Sequence, residues 1–131
     1  MVPTESDQVH ISTINYLYLH ISMKVIKYNK LIRDKIPEII KKDRAIPKVI
    51  HLNSKSFEKE LKKKLIEESI ELQVAQGKKD ILKELSDVLE VLQTIARTEN
   101  ISWKKIEEQR RKRAKERGGF KKKLFLKEVQ E

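Results

Sequence analysis

The chain has 131 residues, no cysteine, three glycines and three prolines, and 38% of its residues are charged. That length supports one domain with a modest core, and the lack of cysteine removes disulfides, thiolate metal sites and thiol nucleophiles. A formal net charge of +10 suits an anionic partner such as a polyphosphate, nucleic acid or acidic lipid, while no apolar run approaches the roughly 20 residues that span a bilayer.

In chain order, residues 1–22 include a mildly apolar stretch broken by Asn15 and His20, with neither a basic leader nor a small-residue cleavage site. They are expected to form an extension that adds little to the fold, with residues 23–131 as a single helical domain. Residues 23–27 alternate apolar and polar, as a short strand or an extended lead-in. A first helix is expected within residues 29–43. Pro37 is tolerated only in a first turn, so Asp34 is the expected N-cap. Residues 46–52 read as an extended segment. Asn53, Ser54 and Ser56 offer cap oxygens to a long helix running through Gln76, with Gly77 as the residue that ends it. Asp80 is expected to cap a second long helix to about Thr98, closed by Asn100. Ser102 caps a third, which ends at Arg117 before Gly118 and Gly119. The tail from residue 120 is basic and partly apolar, as a closing strand or a turn of helix. The fold class expected is all-α, a helical bundle that forms oligomers.

The two long helices carry the chemistry. On the first, Phe57, Leu61, Leu65, Leu72 and Ala75 form an apolar stripe. At about 100° per residue, Glu68 falls in the middle of that stripe and Glu71 at its edge. An acid on an apolar face is costly to bury unpaired. On the second, Ile81, Leu82, Leu85, Val88, Leu89, Leu92 and Ala96 form the expected core stripe, bordered by Glu84 with Asp87 on the same flank. Glu68 with Glu71, and Glu84 with Asp87, are each spaced i, i+3 and so stack on one helix face. Folded back antiparallel, the helices would converge four carboxylates whose mutual repulsion calls for a hard cation: Mg²⁺, with Mn²⁺ as an alternative. Taken one at a time, each acid could equally be a solvated surface group paired with a nearby lysine. A second apolar line at Ile66, Ile70 and Val74, opposite the first, asks for a second partner and points to a homo-oligomer.

The third helix is the basic counterpart. Residues 103–131 hold twelve Lys or Arg against five acids. Trp103, Ile106, Arg110, Ala114 and Arg117 share a face, with Arg113 at its edge. Guanidinium groups suit phosphate oxygens, and Gly118 and Gly119 permit close backbone approach to a ligand. An ordinary solvated basic helix with a glycine cap explains the same residues.

Together these motifs carry a resemblance. The pattern Glu67-Glu68-x-x-Glu71, twelve residues, then Glu84-x-x-Asp87 is similar to the signature of the all-α, MazG-like nucleoside triphosphate pyrophosphohydrolases, a group that includes the phosphoribosyl-ATP pyrophosphohydrolases of histidine synthesis. The stretch YNKLIRDKIP at residues 28–37 and the closing RGGF at 117–120 resemble a stand-alone archaeal and phage-type branch, so the resemblance spans about residues 28–129. It implies Mg²⁺-dependent cleavage between the α and β phosphates of an NTP or dNTP, giving the monophosphate and pyrophosphate, in a nucleotide-pool house-cleaning role. It implies metal ligation by Glu68, Glu71, Glu84 and Asp87, catalysis by Glu67, Glu68 and Glu71, and substrate contact by Asn29, Arg33 and Asp34; on physical grounds Arg33, Arg110, Arg113 and Arg117 are candidates to bind the substrate and stabilise charge on the leaving pyrophosphate. It also implies a cytoplasmic homodimer or homotetramer with no membrane association.

Two other readings compete. Phosphoribosyl-ATP pyrophosphohydrolase shares the metal motif. A non-enzymatic, basic nucleic-acid-binding protein would explain the charge but not acids on apolar helix edges, and the chain has no interleaved aromatic platform, so nucleic acid is not expected as a partner.

Overall fold

The computed structural model describes residues 24–131, among which there are four helices and no strand: α1 (Ile36–Lys42), α2 (Ser54–Val74), α3 (Gly77–Thr98) and α4 (Trp103–Arg117). The all-α class is as expected. The expected extension at residues 1–22 lies outside the described residues.

Local chemistry sets most boundaries. The Asn53 side chain accepts from the Ser56 N–H at the start of α2, and the Ser102 hydroxyl accepts from the Lys105 N–H at the start of α4, each satisfying an amide that has no partner within its helix. Asn100, just after α3, takes the left-handed φ of 55° and donates to Arg97 O, so it closes that helix as expected. Gly118 ends α4 at φ 84°, ψ 173°, a backbone region open essentially to glycine alone. Residues 46–52 form neither helix nor strand. The tail after α4 is irregular apart from one turn at 120–123, rather than a strand or helix.

Three boundaries differ from expectation. α1 starts at Ile36, and Asp34 does not cap it, because Pro37 has no N–H and is accommodated in the opening turn of the helix. α2 stops at Val74 with Ala75 extended, so Gly77 is not its terminator. It opens α3 instead, at φ 82°, where it reverses the chain between the two long helices. Asp80 therefore falls inside the first turn of α3, where its charge favours the helix N-terminus without capping it.

α2 and α3 fold back on each other as a hairpin, the one extensive helix–helix contact among the described residues. Its core is thin: Leu61 (3% exposed), Val91 and Ala96 are buried, and Glu68 (8% exposed) is buried with them. On α2 the inward face follows the expected stripe. On α3 it does not. The face turned inward runs through Glu84, Asp87, Val91 and Ile95 to Thr98, at helical spacing, while Ile81, Leu82, Leu85, Leu89 and Leu92 remain largely exposed. The acid-bearing flank of α3, rather than its broadest apolar arc, packs against α2. Ile66, Ile70 and Val74 on the far side of α2 are also exposed, as is the apolar part of the tail.

Candidate active site

The hairpin brings the four acids together. One carboxylate oxygen from each of Glu68, Glu71, Glu84 and Asp87 lies within 4.8 Å of all the others. The reason is local: i, i+3 spacing on each helix aligns two acids, and the antiparallel fold at Gly77 sets the two pairs face to face. Glu68 is the innermost, Glu84 and Asp87 are half-buried, and Glu71 is the most open to solvent. Buried Oε2 atoms of Glu68 and Glu84 have no hydrogen-bond partner. A buried carboxylate oxygen left unpaired costs about 1–3 kcal/mol or more, so these two atoms mark where a ligand is wanted.

Side-chain cations lean on the cluster from three directions. Arg33, from the segment before α1, donates to Asp87 Oδ1 at 2.8 Å across 54 residues of sequence. Lys64 stands 3.6 Å from Glu68, and Lys83 stands 3.1 Å from Glu84 and 3.6 Å from Asp87. Glu71 has no ion-pair partner among the described residues. Loss of hydration on its inner side, with repulsion from Glu68 and Glu84, raises its pKa above the ordinary glutamate range. Lys83 is raised in turn by its hydrogen bond to Glu84 and the attraction of both acids.

Glu67 belongs to a separate arrangement. It faces Lys30 at 3.3 Å and Lys64 at 3.2 Å. Burial pushes its carboxyl up, but the bonds from Lys64 and Lys30 outweigh this and hold it below the usual carboxylate range. Glu67 stays ionised and stands outside the four-acid group.

A cleft of about 480 Å³ opens beside the cluster, with Glu68 and Asp87 in its wall. Arg33 and Asp34 line it; Asn29 does not, and takes a left-handed backbone (φ 47°) further along the same exposed segment. The expected cationic wall from α4 is not assembled in a single chain. Arg110 is occupied by Glu107 on its own helix, and neither it nor Arg113 nor Arg117 lines the cleft. Sequence reasoning did not single out Lys64 and Lys83. Their i, i+4 spacing to Glu68 and Asp87 is the signal that marks them.

A family model described as "Phosphoribosyl-ATP pyrophosphohydrolase" matches residues 27–114, which include Arg33, all four clustered acids and their cations. The chain belongs to the phosphoribosyl-ATP pyrophosphohydrolase family. Comparisons with curated proteins and with solved structures returned no match. Membership makes the chain a pyrophosphohydrolase, acting on an acid anhydride, within the all-α superfamily that the resemblance indicated. The matched residues run from the lead-in before α1 into α4 and include the whole hairpin. No helix among the described residues is long and apolar enough to cross a membrane.

Proposed function

We propose that this pyrophosphohydrolase cleaves nucleoside triphosphates, ribo or deoxy, between the α and β phosphates with the help of a divalent cation held by Glu68, Glu71, Glu84 and Asp87. The observation that carries the proposal is the convergence of those four oxygens within 4.8 Å, two of the acids having buried oxygens without partners. The donor set fits: it is all carboxylate, as hard cations prefer, and 4.8 Å is close to twice the roughly 2.0–2.6 Å metal–oxygen distance of such ions. Mg²⁺ is the natural occupant and Mn²⁺ the alternative. When bound, the cation would supply charge neutralisation at the phosphate oxygens.

The remaining work falls to side chains. Glu71, open to solvent and without a cationic partner, orients the water that attacks the α phosphorus, with Glu68 beside it. Glu67, held ionised by Lys30 and Lys64, fixes those lysines at the rim of the site and acts on the water only through them. Arg33, Lys64 and Lys83 lie where a polyphosphate would run, and Arg33 has the fixed donors to grip it. Asp34 borders the same cleft, and Asn29 shapes the segment that carries Arg33. In this reading residues 23–131 are the catalytic domain, and the enzyme clears unwanted nucleotides from the cytoplasm.

The same reading makes the active unit a homodimer or homotetramer. Apolar faces stand exposed on both sides of the hairpin, led by Val74 at 69% and Leu82 at 67%, and contiguous exposed apolar surface of this kind marks an interaction site. Arg110, Arg113 and Arg117 then reach the phosphates as cations supplied at an interface between copies. Sedimentation should show the parent as a dimer or tetramer and Leu82→Lys as a smaller species; a monomeric parent would remove this part of the proposal.

A second reading has a specific observation in its favour: the matching family model carries the description of phosphoribosyl-ATP pyrophosphohydrolase. Pyrophosphate release should be followed with Mg²⁺ across ribo and deoxy nucleoside triphosphates and phosphoribosyl-ATP. Turnover of several triphosphates, abolished by chelation, is expected. Turnover of phosphoribosyl-ATP alone would establish the second reading and overturn the first.

A further inference from the structure

The cleft beside the acids continues past them, away from the phosphates. From Asp87, α3 runs ten residues to Arg97, about 15 Å at the helical rise. From Glu68, α2 runs eleven residues back to Phe57, a similar length in the same direction because the helices are antiparallel. Both Phe57 and Arg97 line the cleft, its floor is the buried pair Leu61 and Val91, and Leu31 closes it from the lead-in segment. One end is thus carboxylate and cationic, the middle is apolar, and the far end carries the Phe57 ring beside the polar Thr94 and Arg97. A volume of about 480 Å³ falls in the usual range for small-molecule sites, roughly 300–1,000 Å³.

Between Asp87 and the far end, Arg97 reaches back along α3 to Glu90, which stands about one turn from Asp87. The Arg97 guanidinium donates to the Thr94 hydroxyl at 3.2 Å and stands 3.8 Å from Glu90 Oε1, too far for a hydrogen bond. The two form a loose ion pair with no direct hydrogen bond, so guanidinium donors and carboxylate acceptors remain available side by side. A planar edge with adjacent acceptors flanked by N–H donors complements that pair. A 6-oxopurine presents such an edge: O6 and N7 accept from a guanidinium, and the ring N–H donates to a carboxylate.

Resting on the nucleotide reading above, we infer that this half of the cleft is the nucleoside subsite, in which Phe57 packs on the base and Arg97 with Glu90 selects 6-oxopurines. The acids are then spaced to meet the phosphates of the same molecule. Arg97 and Glu90 are specificity-determining residues with no part in the cleavage.

The test compares kcat/KM for GTP, ITP, ATP and CTP in the parent and in Arg97→Ala, an exposed position where truncation spares the fold. It is joined by calorimetric binding of GMP without metal. The parent should favour GTP and ITP. Arg97→Ala should lose about tenfold on those two, the worth of one bidentate base contact, with CTP changed less than about twofold. Phe57→Leu, with its melting temperature checked, should weaken GMP binding without altering preference among bases. If the parent turns over triphosphates but Arg97→Ala leaves the GTP to CTP ratio unchanged, the inference fails and the proposed activity stands. If no triphosphate is cleaved but metal-free GMP binds and Arg97→Ala abolishes that binding, the activity fails and the subsite stands.

Discussion

Glu68→Gln should abolish pyrophosphate release while leaving the metal-free protein more stable than the parent. The two effects have one cause. Glu68 is buried with an unpartnered oxygen and shares its space with three other acids. The substitution removes a buried charge and lessens the repulsion on Glu71. Lys64 is not orphaned, since it retains Glu67 at 3.2 Å. A gain of about 1 kcal/mol in the metal-free fold is expected, against a loss in kcat/KM on the order of 10³-fold or more from the missing cation ligand. Chemical denaturation in chelator and a coupled pyrophosphate assay measure both. A variant that is less stable and still active would mean that Glu68 is a structural acid.

Divalent cation should stabilise the parent strongly, and increasingly so as pH rises. Saturation at a hundred times the dissociation constant is worth about 2.7 kcal/mol, or roughly 10 °C in melting temperature for a domain of this size. The sign of the pH dependence follows from Glu71. Its pKa is raised in the folded protein, so the metal-free fold is favoured while Glu71 is protonated and loses stability as pH climbs from the ordinary glutamate value through the raised one. Glu67, held low by Lys64 and Lys30, works in the opposite direction, gaining stability as pH rises from its lowered value to the ordinary glutamate value, so its change lies on the acid side of the Glu71 change. A bound cation compensates the ionised Glu71. Melting curves with chelator and with Mg²⁺, taken from roughly pH 5 to pH 8, should diverge upward. Curves that coincide, or that diverge toward low pH, would contradict this.

The parts legible in the sequence are those fixed by local chemistry. Asn53 and Ser102 announce their helices because a side-chain oxygen three residues before an amide has one obvious use. Glu68 stands out because it breaks an apolar stripe, and it is buried there as that placement requires. The orientation of α3 was not legible. Its apolar arc is wide enough to suggest that Leu82, Leu85 and Leu89 face inward, yet the hairpin buries Val91, which lies outside that arc, together with the expected Ala96, and leaves those leucines outward. Periodicity identifies faces but cannot say which face meets the same chain and which meets another surface. Likewise, helical spacing placed Arg110, Arg113 and Arg117 on one side of α4, but spacing within a helix carries no information about where that helix points. Arg33 was singled out through its motif, whereas its contact with Asp87 spans 54 residues and is visible only once the chain is folded.

The central claim is that four acids from two helices hold one divalent cation, and Mn²⁺ titration followed by electron paramagnetic resonance tests it directly. The free-ion signal should be suppressed with one Mn²⁺ per chain in the parent, return on addition of excess Mg²⁺, and persist throughout in Glu68→Gln and Asp87→Asn. Equal suppression by the parent and both variants would place the ion elsewhere and leave the acidic cluster without its role.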